Sequence, residues 1–119
     1  MKMKQVRAIN EAEFASEVLH SHQPALVGFV ASWSEACGRF EPVLDQVAAA
    51  CDGSAGVFKV NVDDNPDLGT QYAIQSVPTL ICFINGSVRM KIVGTVSAKA
   101  VLAKLQVFAQ QQISPSENG

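Results

Sequence analysis

The sequence predicts an α/β domain, a central mixed five-stranded sheet flanked by helices on both faces. Three observations carry that prediction. Two unbroken apolar runs, ALVGFVA (25–31) and PTLICFI (78–84), have the composition of strands covered on both faces. Longer segments with helical signals alternate with them, the pattern of strand–helix–strand units. Asn85-Gly86 follows the second run directly, and this dipeptide is the strongest short-range hairpin signal.

Taken in order, KQVRAI (4–9) alternates polar and apolar and reads as an edge strand. Asn10 caps a helix, with Glu13 in capping-box spacing, to about residue 21. Pro24 stops it. The first apolar run follows as a central strand. A long helix is expected from Ser34 to Cys51, with Phe40, Val43, Leu44 and Val47 on one side and Pro42 inside, where proline kinks a helix. GVFKVNV (56–62) is a strand, and a short helix follows Pro66. The second apolar run is joined by the Asn-Gly turn to SVRMKIVG (87–94), an alternating strand. Ser97 caps a last helix to about residue 112, and SPSENG (114–119) reads as a flexible tail. The domain is therefore placed at 1–113. Its strand–helix–strand portion demands parallel strands with right-handed crossovers, and the hairpin adds antiparallel pairing.

Composition narrows the function. The chain has 119 residues, 48% of them hydrophobic, enough for one domain with a real core. A net charge of −2 does not suit nucleic acid or an anionic membrane as partner. MKMKQVRAINEAEF at the start is polar, without a signal-peptide pattern, and no stretch is long and apolar enough for a bilayer. A cytoplasmic setting is the expectation, where thiols stay reduced. Cys37, Cys51 and Cys82 form no close pair, which argues against a disulfide framework and a zinc site. Asp63, Asp64 and Asp67 read as a solvated loop, because their order lacks the spacing and glycine of a calcium loop. His20 and His22 read as surface residues at a helix end. No metal and no cofactor is expected.

The stretch FVASWSEACGRFEP (29–42) carries the chemistry. A strand runs into Trp33, a turn, and a helix, and Cys37 lies one turn into that helix. A second thiol at position 34 would complete a dithiol site, but the residue is Ser34. Serine is a favoured N-cap, and its oxygen can accept from the N–H of Ala36 or Cys37, at about 1 kcal/mol. Cys37 has two readings. It is a small buried hydrophobe, or a reactive single thiol favoured by the helix N-terminus, with Glu35 opposing thiolate formation. Cys82 reads as core, and Cys51 as an inert thiol at a helix end.

Over about residues 4–110 the chain resembles the thioredoxin family. The resemblance rests on Trp33 before the turn, Cys37, Pro42, NVDDNP, VPT at 77–79, NG at 85–86, and Gly94 near the end of the last strand. It implies the thioredoxin fold and a cis Pro78 beside Ser34 and Cys37. Val77 would then lend its backbone to an extended protein partner. It also implies a docking surface around Trp33, Glu35, Ala36, Val77, Pro78 and Gly94, with Trp33 as anchor. Two positions depart from the family. Ser34 stands where the nucleophilic cysteine belongs, and dithiol reduction needs both thiols. Gly28 stands where the family usually has a buried aspartate that helps move the proton of the second cysteine. Lys59 falls where the family has a lysine near the site.

Three functions remain open at this point. One is a redox-related protein without dithiol reductase activity, with single-thiol chemistry at Cys37 toward glutathione or a mixed-disulfide protein. Another is a non-catalytic binding or scaffold module. The third is an ordinary disulfide reductase whose first cysteine was replaced by Ser34.

Overall fold

The computed structural model describes residues 5–118, with side chains through Phe108. Elements follow the expected order: β1 (Arg7–Ala8), α1 (Glu11–Phe14, continued by a π-helical turn Ala15–Leu19), β2 (Ala25–Val30), α2 (Glu35–Cys51), β3 (Gly56–Asn61), α3 (Pro66–Gln71), β4 (Thr79–Ile84), β5 (Ser87–Val93) and α4 (Ala98–Asn118). The sheet order is β1-β3-β2-β4-β5. The β1–β3 and β2–β3 pairs are parallel. The β2–β4 and β4–β5 pairs are antiparallel. This is the mixed five-stranded sheet of the thioredoxin fold.

All six residues of β2 and all six of β4 are buried, as two-sided cover requires. Side chains alternate along β2. Leu26 and Val30 join Phe40, Leu44 and Val47 of α2 and Val101 of α4 in one core cluster. Val27 and Phe29 join Phe14, Val18, Leu68 and Phe83 in the other. Phe14, Tyr72 and Phe83 pack with ring centroids 5.3–5.6 Å apart, two of the three contacts edge-on.

Local signals work as read. Asn10 accepts from the Glu13 N–H while the Glu13 carboxylate accepts from the Asn10 N–H, a complete capping box. Asn85 and Gly86 both take positive φ, 53° and 81°, as a two-residue hairpin of this hand requires. Ser97 Oγ accepts from the Ala100 N–H at the head of α4.

Four details differ from expectation, the first being β1, expected over 4–9 and formed at Arg7–Ala8. Helix α1 widens into a π-helical turn, where the His20 N–H reaches back to the Ala15 carbonyl. The β4–β5 pairing shifts register between Cys82 and Phe83. Helix α4, expected to end near 112 before a tail at 114–119, continues to Asn118. Pro115 lies in its last turn. Gly119 lies outside the described residues.

Cys82 faces the α2 side of β4 with no exposed surface. Burial pushes its thiol from 9.0 up to about 11, with Arg89 pulling it down and Cys51 adding slightly to the rise. The folded chain therefore holds this proton at a pH where the unfolded chain has lost it. The contribution to stability is complete below pH 9.0 and is lost as pH rises toward about 11. At about 1.4 kcal/mol per pH unit, the expected loss is about 2–3 kcal/mol. Urea midpoints measured from pH 8 to pH 11 should fall more steeply for the parent chain than for Cys82→Ala. Parallel pH profiles would refute the assignment.

Candidate functional site

Strand registers determine which loops meet. The β2–β4 ladder closes at the Phe29–Thr79 pair, and Thr79 also faces Val93 of β5. On the other side, Val30 pairs with Asn61 of β3, and the Val62 N–H donates to the Val30 carbonyl. One end of the sheet therefore collects the turn after β2, the loop after β3, residues 77–78 before β4, and the end of β5. All eight predicted site residues lie there.

Ser34 is the N-cap of α2, in extended conformation (φ −92°, ψ 121°), and its Oγ accepts from the Cys37 N–H at 3.2 Å. Cys37 is 3% exposed. Its sulfur points back under the turn, where the Ala31 N–H donates to it at 3.4 Å. Of the two readings of Cys37, the geometry favours the buried one.

Trp33 is 72% exposed and is held by its indole N–H, which donates to Asp63 Oδ2 at 2.9 Å. Glu35 is exposed, while Ala36, Val77 and Gly94 are half-buried. Pro78 is buried, and the Val77–Pro78 bond is cis. The Gly94 N–H donates to the Pro78 carbonyl at 2.8 Å, and Gly94 takes φ +93°. Beside them Val93 is 62% exposed. Two exposed apolar side chains, Trp33 and Val93, thus stand at this sheet end.

Position 28 is closed. A Cβ on Gly28 would meet Leu44 Cδ1 at 2.9 Å and Phe40 Cε2 at 3.2 Å, so side chains of α2 occupy the space a larger residue would need. Lys59, the register partner of Gly28 on β3, turns instead to Glu41, with Nζ–Oε1 2.7 Å. Both lie at a pocket of about 310 Å³ lined also by Val30, Ala31, Ser32 and Asn61. A pair this exposed contributes little stability.

Sequence reading missed three of these contacts. Asp63 was placed in a solvated loop; it is exposed, yet it also fixes Trp33. Glu41 was not singled out, although it stands one helical turn after Cys37, a spacing that puts both on one side of α2. The filling of position 28 by Leu44 and Phe40 had no sequence signal beyond glycine itself. His20 and His22 are exposed. They belong to the opposite sheet end, where the Leu19 carbonyl abuts the Gly86 turn. Neither can serve Ser34 as a base. Among the described residues, no three His, Cys, Asp or Glu side chains gather as a metal-binding group.

Fold and site together define a thioredoxin-fold protein with one thiol, and that one buried, at the redox turn. The thioredoxin family model matches residues 5–107. Thioredoxin 1 of Synechococcus elongatus is 40% identical over 94 residues, covering 79% of this chain and 88% of that one. The chloroplastic M-type thioredoxin of Spinacia oleracea is 33% identical over 106 residues, covering 89% of this chain but 59% of the relative, so the chain spans about three fifths of that relative's length. The crystal structure of Malassezia sympodialis thioredoxin superposes with a TM-score of 0.79 at 24% identity, covering 89% of this chain and 93% of that one, a likeness of fold. The chain belongs to the thioredoxin family.

Proposed function

We infer that this chain docks protein partners at the sheet end around Trp33 and Pro78 and does not carry out dithiol disulfide reduction. The observation that carries the reading is the state of the turn. Ser34 is engaged as the cap of α2, and the cysteine beside it, Cys37, is 3% exposed. Reduction of a disulfide begins with an accessible thiolate attacking sulfur, and a second thiol must then release the mixed disulfide. A serine hydroxyl without a base does neither.

A single-thiol adduct of Cys37 with glutathione or a partner cysteine would require this sulfur to leave the α2 core, so its burial favours the docking reading. A reductase that merely lost its first cysteine by replacement would be expected to keep the rest of the machinery. Here position 28 is also remodelled, with Leu44 and Phe40 packed over it, which favours a native departure. The setting we propose is a reducing one such as the cytoplasm, where Cys37, Cys51 and Cys82 stay thiols.

The test is insulin reduction with dithiothreitol. The expected result is a rate equal to that of dithiothreitol alone. Turnover comparable to that of a two-cysteine thioredoxin would refute the reading.

A further inference from the structure

The docking surface is not electrically neutral. The chain as a whole has only two more acidic than basic residues, yet Asp63, Asp64 and Asp67 follow β3 directly and are exposed. Glu11 joins them: its carboxylate accepts from the Asp67 N–H at 3.0 Å, and its own N–H donates to Asn65 Oδ1 at 3.1 Å. Asp63 touches the anchor itself through the indole N–H of Trp33. Glu35, exposed in the first turn of α2, adds a fifth carboxylate close to Trp33 in sequence.

The cations of this sheet end are placed elsewhere. Lys59 is spent on Glu41 at 2.7 Å. Lys91 Nζ is turned to the carbonyls of Tyr72 and Ala73. The exception is Arg39, exposed and four residues after Glu35 on α2, which stands beside that carboxylate and offsets it, so the acidic flank rests on the loop after β3. The flank of Trp33 formed by the loop after β3 is therefore acidic, while Trp33 and Val93 are exposed apolar side chains at the same sheet end.

Resting on the docking reading, we propose that the partner is a protein segment in extended conformation that sets an apolar side chain against Trp33 and Val93 and a lysine or arginine beside Asp63 and Asp64. A carboxylate in contact with the anchor, with Asp64 next to it in the chain, attracts such a segment and repels an acidic one. The aromatic anchor supplies contact area, and the charges choose the partner.

Trp33 is the only tryptophan of the chain, so its fluorescence reads occupancy at the anchor. The probes are two synthetic peptides with the same Ala-Val-Phe-Val-Ala centre, one flanked on both sides by lysine pairs and its twin by glutamate pairs. At low salt the lysine peptide should bind about tenfold or more tighter, and about 0.5 M salt should shrink the difference. The Asp63→Asn, Asp64→Asn double variant should remove most of the preference. Asparagine at 63 retains an oxygen for the Trp33 N–H, so the anchor stays in place. Equal affinities, or a preference that survives in the double variant, would overturn the charge assignment and leave docking intact. If neither peptide perturbs Trp33 at millimolar concentration, the docking reading itself fails, and this inference with it.

Discussion

Gly28→Asp is expected to destabilise the chain by about 3 kcal/mol or more. Gly28 lies on the central strand β2 with its Cα hydrogen aimed at α2. A Cβ there would come within 2.9 Å of Leu44 Cδ1 and 3.2 Å of Phe40 Cε2. Leu44 is 1% exposed and Phe40 0%, so any shift of either must be absorbed within the core. Overpacking a tight core by a methyl-sized group costs about 1–3 kcal/mol. The carboxyl then adds the cost of a polar group in an apolar layer, again about 1–3 kcal/mol. Lys59 is the cross-strand neighbour on the same face, but it is engaged with Glu41. Gly28→Ala separates the two parts, with an expected cost of about 1–2 kcal/mol from packing alone. Denaturant unfolding of both variants gives the answer. If Gly28→Asp is within about 1 kcal/mol of the parent, α2 yields freely and the site is not closed as described.

This packing bears on function. The resemblance to the thioredoxin family implied a missing carboxylate, which alone would leave a hole or a solvated pocket. The structure fills the position instead. Loss of the first cysteine and loss of the buried acid are thus separate changes, one at the head of α2 and the other against its middle. Reversing one does not reverse the other.

Much of the fold was legible because local and global signals agree. The apolar runs at 25–31 and 78–84 became the two fully buried strands. The Asn-Gly pair became the hairpin, and Asn10 with Glu13 became a complete capping box. Signals that depend on distant partners were not legible. The π-helical turn at Ala15–Leu19 has no local cue, nor does the register shift at Cys82–Phe83. The end of α4, expected near residue 112, lies at Asn118, because the polar SPSENG run reads locally as a tail.

The same division holds at the site. Ser34 as cap follows from residue type and position alone. The exposure of Trp33 follows from the family pattern, whereas the two readings of Cys37 stay open in the sequence and only the packing of α2 on the sheet leaves it 3% exposed. The Trp33–Asp63 and Lys59–Glu41 contacts join residues 30 and 18 positions apart. They become visible only when β3 is laid beside β2 and α2. An acidic run that looks like plain solvation in the sequence holds, in three dimensions, the indole of Trp33 through Asp63.

Ser34→Cys is expected to create a disulfide where the chain has none. Residue 34 is the N-cap and residue 37 the third helical position, and the Ser34 side chain already reaches the Cys37 backbone at 3.2 Å. Residues three apart at a helix start stand about 5–6 Å apart, inside the range a disulfide spans. Mild oxidation should link the two sulfurs with loss of both thiol hydrogens, and dithiothreitol should restore the thiols. The reduced variant then has what the parent lacks: a half-buried thiol at the turn to attack a substrate disulfide, and Cys37 behind it to displace the mixed disulfide. Insulin reduction should rise clearly above the dithiothreitol background. It should stay below that of a thioredoxin with the buried aspartate, because Leu44 and Phe40 still close position 28 and leave Cys37 without that carboxylate as its proton acceptor. The variant should also lose part of the cap, about 1 kcal/mol, visible as a lower melting temperature in the reduced form. Peptide mapping of the oxidised protein decides the first point. Pairing of the new thiol with Cys51 or Cys82, or no pairing at all, would mean that the turn does not bring residues 34 and 37 together. Full thioredoxin-level turnover would mean that the remodelling of position 28 has no bearing on the chemistry of Cys37.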